Sequence, residues 1–209
     1  CTFSAHPTIL PSMQPILSGD YPVMLVQTLE KEVGFAAFSA GAVGSHSSRY
    51  THGDSFESTE EVGTGLATAI LEKSAKTRTQ YTTTLHSQRL PLYLPEPHWR
   101  IGEHKRHSPD LFYIFFGRYD AYLNRLQIGN TVLLGVPADY SGEFMDDLEV
   151  TATQAKKNVI VTGFNGSYLG YIIPDVHYGL KKYEARAMNF YGPTAGGYLT
   201  HLLKLLLSQ

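Results

Sequence analysis

The hydrophobic pattern of this chain changes period along the sequence, and this change constrains the fold more than any other feature. Residues 2–6 alternate as a strand does, and residues 35–38 form a short apolar run that is typical of a buried strand. Between them, helical spacing begins at Asp20, which occupies the position of a helix N-cap, and ends at Gly34. The order strand, helix, strand predicts a βαβ unit with a parallel strand pair.

The alternation of helices and strands continues to the end of the chain. Further helices are predicted at residues 57–76, 142–157 and 194–207. Further strands are predicted at residues 81–94, 122–128, 131–134 and 159–162. The middle two of these strands form a hairpin that turns at Gly129 and Asn130, whereas residues 110–119 fit a helix or a strand. We therefore expect an α/β fold with mixed sheets flanked by helices, as a single domain over residues 1–209.

The charge balance and the cysteine count exclude several classes of protein. The net charge is −2, so the chain lacks the basic surface that binds nucleic acid. No stretch reaches the roughly 18 consecutive apolar residues of a transmembrane segment. Cys1 is the sole cysteine, which rules out a disulfide within the chain.

Polar and ionisable side chains follow four of the predicted strands, at the ends where open α/β sheets place their ligands. They are His6, then Ser45 to Ser48, then Asp139, Tyr140 and Glu143, and finally Asn165, Tyr168 and Tyr171. Imidazole, carboxylate, hydroxyl and phenol groups are metal ligands and proton-transfer groups. The chain has no HExxH or CxxC motif, so spacing alone does not decide between these two roles.

Four short motifs cover nearly the whole length of the chain. They are HPT at residues 6–8 with SGDYP at 18–22, the segment 35–47, GVPAD at 135–139, and residues 164–174 with 182–185 and 190–193. In this order they resemble the HPT…SxDYPG, FxxxxxGDxSP, GxPGE and NxYxxYxTxxEYxxxxYEG…YGP motifs of the neutral/alkaline (non-lysosomal) ceramidase family. The resemblance implies that the chain is the later part of a ceramidase-type catalytic domain.

This resemblance implies a zinc site. His6 matches a zinc-ligand histidine of the family, Asp139 matches the zinc-ligand carboxylate, and Tyr171 matches a zinc-ligand tyrosine. Asp139 stands where the family commonly has glutamate, so its carboxylate lies one carbon closer to the backbone.

The resemblance also assigns catalytic side chains. Tyr183 matches a tyrosine that polarises the amide carbonyl, and Ser47 falls at the serine of GDxSP. Ser45 and Ser48 replace the aspartate and the proline of that motif, so the chain departs from the family pattern on both sides of Ser47.

Three further residues are candidates for the same site. Glu143 and His46 are the carboxylate and the imidazole that we expect to transfer protons. Tyr168, which lies within the last motif, is the candidate for contact with the substrate.

Together these residues imply a zinc-dependent amidase that hydrolyses the N-acyl bond of ceramide or a related N-acyl lipid. The family supplies another zinc-ligand histidine, and a histidine and an arginine that bind the carbonyl, from a segment before the His6 motif. We therefore expect an upstream segment of the parent protein to complete the site. The resemblance also implies an extracytoplasmic location, in a periplasm, at a cell surface or secreted.

Two other functions remain open. An N-terminal cysteine can act as a nucleophile with its own amine as the base, so Cys1 allows an N-terminal-nucleophile hydrolase. The resemblance instead places Cys1 within a central strand. A non-catalytic binding module that kept the fold but lost the site is the second alternative. His98, His104 and His107 lie among basic residues, and we expect them at the surface, outside the site.

Overall fold

The computed structural model describes residues 1–13, 15–103 and 105–209, so the expectation for His104 lies outside the described residues. In chain order the helices and strands are β1 (Thr2–Phe3), α1 (Asp20–Glu30), β2 (Ser39–Ala40), α2 (Phe56–Ser74), β3 (Leu85–Pro91), α3 (Pro109–Phe116), β4 (Tyr122–Ile128), β5 (Thr131–Gly135), β6 (Asp139–Tyr140), α4 (Met145–Gln154), β7 (Asn158–Thr162), β8 (Tyr171–Ile172) and α5 (Ala195–Ser208). The expected α/β class is confirmed.

A four-stranded mixed sheet lies at the centre, in the order β3-β4-β5-β7. Its first three strands are antiparallel neighbours, whereas β5 and β7 run parallel and are connected through α4. The predicted hairpin is confirmed as β4 and β5. Gly129 turns it with a φ of 61°, a conformation that glycine adopts without a Cβ clash.

The main hydrophobic core lies between this sheet and the helices α4 and α5. Leu199 and Leu203 on α5 follow each other at a spacing of four residues, so both face the sheet, and both are fully buried. They pack in one cluster with Leu123 and Leu134 of the sheet and with Leu148 of α4. Among the described residues, no helix has both the length and the apolar composition that crossing a membrane requires.

The N-terminal βαβ unit is also confirmed, although its second strand is displaced. β1 pairs with β2 in parallel, and β2 lies at Ser39–Ala40, not at residues 35–38. The apolar run is an irregular segment in which Ala36 and Phe38 pack against α1 and α2, while Phe35 is 77% exposed. The run is therefore apolar because it covers the two helices and not because it lies within a sheet.

The structure corrects the expectation for Asp20. This residue is the first of α1 and not its N-cap, and its backbone has a φ of 55°. Its buried carboxylate accepts hydrogen bonds from the backbone N–H groups of Tyr21 (2.7 Å) and Leu10 (2.9 Å). Asp20 thus satisfies an unpaired donor at the start of the helix and also fixes the loop that follows His6.

Two element boundaries differ from those expected. The strand predicted at residues 81–94 is confined to Leu85–Pro91. Residues 110–119 lie largely in helix α3, which begins at Pro109 after Ser108, whose hydroxyl accepts the N–H of Leu111. The Ser-Pro start is a local helix signal that decides an otherwise ambiguous apolar pattern.

Gly63 permits the close packing of α1 on α2, which generates a stability prediction. A Cβ at Gly63 would lie 2.5 Å from Met24 Cβ and 2.7 Å from the Tyr21 carbonyl oxygen. We expect Gly63→Ala to lower the free energy of unfolding by about 1–3 kcal/mol, because the helices must separate. Chemical denaturation measures this change.

Gly65 provides the matched control on the same helix. A Cβ there would meet no atom within 4 Å. Gly65→Ala should therefore leave stability unchanged or raise it by up to about 1 kcal/mol, through helix propensity alone. Equal effects of the two substitutions would contradict the packing role of Gly63.

Candidate functional site

Four backbone segments lie side by side and form the floor of the candidate site. His6 pairs with Ser47 in a parallel bridge, and its N–H donates to the His46 carbonyl oxygen at 3.0 Å. The Gly44 N–H donates to the carbonyl oxygen of Tyr140, which lies in β6. β6 in turn pairs in parallel with β8. Segments that are distant in sequence are therefore held at fixed register by main-chain hydrogen bonds.

Gly44 is needed for this close approach. A Cβ at Gly44 would lie 2.5 Å from the Asp139 carbonyl oxygen and 2.9 Å from the Asp139 carbonyl carbon. These atoms belong to the backbone and cannot move aside like a flexible side chain. Glycine at this position thus allows the loop after β2 to lie against β6.

His6, Asp139 and Tyr171 converge on this floor. Asp139 and Tyr171 are direct partners in the β6–β8 register. His6 Nε2 lies 2.9 Å from Asp139 Oδ1 and 2.9 Å from the Tyr171 hydroxyl oxygen. The three residues that the resemblance groups together are thus in mutual contact, across 165 positions of sequence.

The Asp139 carboxylate is buried, and only one of its two oxygens accepts a hydrogen bond. Asp139 is 1% exposed, and its Oδ2 accepts a hydrogen bond from the Tyr168 hydroxyl at 2.5 Å. Oδ1 is buried and has no aligned hydrogen-bond donor in the described part of the chain, although His6 Nε2 lies close to it. A buried carboxylate oxygen without a donor is costly, so this atom needs a further positive partner.

The phenols beside this carboxylate are shifted toward their neutral form. Burial, followed by the negative charge of Asp139, raises the pKa of Tyr171 above its usual value. Burial and the hydrogen bond to Asp139 raise the pKa of Tyr168 in the same direction. Without a cation in place, both hydroxyls therefore remain protonated at neutral pH.

The donor set suits a zinc ion in kind. Imidazole nitrogen and carboxylate oxygen are common zinc ligands at about 2.0–2.2 Å, which places tetrahedral ligand atoms about 3.3–3.6 Å from each other. His6 Nε2 lies 2.9 Å from each of its two partners, so the side chains would move apart by about half an ångström to hold the ion. Within the described ranges, no three His, Cys, Asp or Glu side chains form a metal-binding group, so a site here includes the tyrosine.

A cleft of about 500 Å³ opens above His6 and Tyr171. It is lined by all four residues that the sequence indicated as catalytic, which are Ser47, His46, Glu143 and Tyr183. Tyr168 instead lines a neighbouring cavity of about 660 Å³, among Phe112, Phe116, Phe190 and other apolar side chains. Its hydroxyl nevertheless contacts Asp139.

Tyr183 lies at the rim of the cleft. It begins a single π turn, Tyr183–Ala187, and is 59% exposed. Its ring meets that of Tyr171 edge-on, with 6.0 Å between the ring centroids. The hydroxyl is therefore close to the group of three but free to accept or donate toward a molecule in the cleft.

Ser47 and His46 also line the cleft. Ser47 is adjacent to His6 through the backbone bridge. The His46 ring lies against Gly142, and its Nδ1 lies 3.1 Å from the Ser45 hydroxyl, which also accepts the Gly142 N–H at 3.0 Å. The replacement at Ser45 thus has a visible structural role, since it joins this loop to the turn after β6.

Glu143 has a partner that the sequence did not reveal. Its Oε2 lies 2.8 Å from Nε2 of His177, which occupies a short 3₁₀ turn, Asp175–His177. Ser141, whose side chain is buried, lies 3.3 Å from Glu143 Oε1. No periodic pattern surrounds His177, and only its position in a Tyr- and Gly-rich segment after the last motif could have drawn attention to it.

Two strand-end residues are structural. The Tyr140 hydroxyl is buried and lies 2.7 Å from the Thr200 hydroxyl oxygen. The Asn165 amide donates to three oxygens of the turn at residues 162–163. Neither side chain lines the cleft.

Cys1 lies away from the cleft. It is exposed and directly precedes β1, and its carbonyl oxygen accepts the Ser39 N–H at 3.0 Å, so its backbone continues the pairing of β1 with β2. Its Sγ lies 3.3 Å from the Ala37 carbonyl oxygen and lines a separate, largely apolar cavity of about 210 Å³ with Phe3 and Leu25. Cys1 therefore does not share a cavity with His6 and Tyr171, and these residues are not placed to assist a Cys1 nucleophile.

His98 and His107 also lie outside the cleft. The His98 ring is half-buried, and its Nδ1 lies 3.2 Å from the His107 carbonyl oxygen. The His107 ring is tilted against Trp99 at a centroid distance of 5.9 Å. Both side chains are half-buried, and they support the segment before α3.

Comparison with solved structures finds proteins of similar fold. Neutral ceramidase from Pseudomonas aeruginosa matches with a TM-score of 0.77 and 15% identity, over 99% of this chain and 43% of that chain. This chain shares the fold of neutral ceramidase. A ceramidase complexed with C2 matches equally well, with the same score and identity, over 44% of its own length.

The likeness to neutral ceramidase is one of fold. At 15% identity it carries no residue roles, and the chain spans less than half of the matched proteins. No family model matches the sequence, and no curated protein matches it.

The Tyr168–Asp139 hydrogen bond generates a stability prediction. Tyr168→Phe removes the donor and leaves a second oxygen of a buried carboxylate unpaired. We expect the free energy of unfolding to fall by about 1–3 kcal/mol in the presence of a chelator. Denaturant unfolding of the natural protein measures this change.

Tyr183→Phe is the matched control, since it removes the same atom from a hydroxyl at the exposed rim. It should change stability by less than about 0.5 kcal/mol. A Tyr168→Phe protein as stable as the control would show that solvent already satisfies Asp139.

Proposed function

We propose that the protein containing this chain is a zinc-dependent amidase that hydrolyses the N-acyl bond of ceramide or a related N-acyl lipid. One observation carries the proposal. The half-satisfied Asp139 carboxylate, His6 and the Tyr171 hydroxyl meet at the base of a cleft, in a chain with the neutral ceramidase fold. Together they would form a set of metal ligands with room for a substrate in the cleft.

His6, Asp139 and Tyr171 are the residues that would hold the zinc ion. When bound, zinc polarises a carbonyl group and lowers the pKa of a water molecule so that it attacks at neutral pH. The Tyr168 hydroxyl fixes the second Asp139 oxygen, which orients the carboxylate toward His6. Three protein ligands leave the fourth coordination position of a tetrahedral zinc ion open. We propose that a residue from another part of the parent protein, outside this chain, supplies a further ligand.

Tyr183 would act on the substrate and not on the metal. Its hydroxyl lies at the cleft rim, one ring away from Tyr171. From there it would donate a hydrogen bond to the scissile carbonyl oxygen, which gains charge in the transition state. Ser47 and His46 line the same cleft and would also face the substrate.

A lipid substrate fits the surroundings of the cleft. Tyr168 separates the group of three from the larger aromatic cavity, which is lined by Phe112, Phe116 and Phe190. Apolar walls of this kind bury hydrocarbon favourably. We also propose the extracytoplasmic location that the family resemblance implies, which detection of the protein outside the cytoplasm would test.

Metal content tests the zinc proposal directly. The natural protein, purified without chelators, should contain about one zinc ion per chain by elemental analysis. His6→Ala should lose zinc and N-acyl amidase activity together, because one ligand is gone. His52→Ala, which changes an exposed histidine outside the cleft, should keep both. Full activity in a zinc-free preparation would overturn the proposal.

Tyr183→Phe separates transition-state stabilisation from packing. The ring stays against Tyr171 while the hydroxyl is lost, so zinc content and folding should be retained. Turnover should fall by about 10²–10³-fold with little change in KM, since the lost hydrogen bond belongs to the transition state. Steady-state kinetics with N-acyl lipids measure both constants, and wild-type turnover would make Tyr183 a packing residue.

A further inference from the structure

His177 and Glu143 form a pair of contacting side chains in the cleft. The family resemblance assigns no role to His177. His177 Nε2 lies 2.8 Å from Glu143 Oε2. The two residues come from different segments, one after β8 and the other after β6, and both line the cleft that contains His6 and Tyr171. The pair is therefore built by the fold at the same place as the proposed metal ligands.

The carboxylate side of this pair is held in place. The Ser141 hydroxyl lies 3.3 Å from Glu143 Oε1 and also accepts the Glu143 N–H at 3.3 Å. Ser141 itself is fully buried. Glu143 is therefore restrained at its backbone and at one oxygen, and its other oxygen faces the imidazole.

The imidazole side keeps one nitrogen free. With Nε2 against the carboxylate, His177 presents Nδ1, and its side chain is 38% exposed. A carboxylate that binds one ring nitrogen fixes the orientation of the ring. Nδ1 is therefore the ring nitrogen that is left for a molecule in the cleft.

We propose that His177, positioned by Glu143, is the general acid that protonates the departing amine nitrogen. The inference rests on the proposed amidase function and adds to it the group that completes the reaction. An alkylamine is a poor leaving group, because an amide nitrogen must gain a proton before it leaves with the bonding electrons. In the described part of the cleft, the other ionisable groups are the proposed ligands His6 and Tyr171, together with His46, Lys182, Tyr183 and Glu184.

The step balances without a further reactant. A water oxygen bonds to the carbonyl carbon and releases one proton to the solvent. His177 Nδ1–H gives its proton to the amide nitrogen while the C–N bond breaks and its electrons pass to nitrogen. The products are a fatty acid and an amine, and the neutral imidazole regains a proton from the solvent that reaches the cleft.

Leaving-group dependence tests this assignment in the natural protein. His177→Gln should lower turnover of an N-acyl alkylamine by about 10²–10⁴-fold, the usual contribution of general acid catalysis. Hydrolysis of the p-nitrophenyl ester of the same fatty acid should stay near the wild-type rate, because nitrophenolate leaves without a proton. Zinc content should not change. Added imidazole should restore part of the amidase activity to His177→Ala.

Glu143 and a distant histidine provide the controls. Glu143→Gln should lower amide turnover less than His177→Gln and should alter the ¹⁵N NMR signature of the His177 ring, as expected of a positioning residue. His201→Gln changes an exposed histidine on α5 and should leave all rates unchanged.

Two results would overturn the assignment in distinguishable ways. Equal losses with the amide and the ester, or no rescue by imidazole, would make His177 structural while the proposed function stands. A wild-type protein that hydrolyses no N-acyl amide would remove the proposed function, and the role of His177 with it.

Discussion

The Asp139 carboxylate is 1% exposed, and compensation of its charge governs the arrangement of the side chains around it. Removing a carboxylate from water costs several kcal/mol unless donors or a cation replace its hydration. Tyr168 supplies one donor, and His6 approaches the other oxygen without completing a hydrogen bond. A bound cation would satisfy that oxygen and turn a costly burial into a binding site, which is the physical reason for placing a metal here.

This arrangement depends on backbone pairing and not on a large sheet. β6 and β8 contain two residues each, yet their register places Asp139 directly opposite Tyr171. The Gly44 N–H and the His6–Ser47 bridge attach the two remaining segments. Because main-chain hydrogen bonds fix all four segments, the site keeps its geometry although its elements are short.

The sequence predicted the regular part of the molecule through its periodicity. The hairpin of β4 and β5, the helices α2 and α5 and the parallel β1–β2 pair all follow from local patterns. The gathering of polar groups at strand ends also follows, as His6, Asp139 and Tyr171 show. Their roles as ligands remain a prediction.

The sequence could not reveal which side chains are hydrogen-bond partners of each other. Tyr140 and Asn165 stand at strand ends like the others, but Thr200 and the turn at residues 162–163 occupy their polar atoms. His177 lies in a single turn without periodicity, and its contact with Glu143 spans 34 positions. Such contacts are set by tertiary packing, which no local pattern encodes. The structure also separates the two sets of residues to which we assign different roles. Paired backbone positions the proposed metal ligands, whereas His177 and Tyr183, which we propose act on the substrate, come from short turns at residues 175–177 and 183–187.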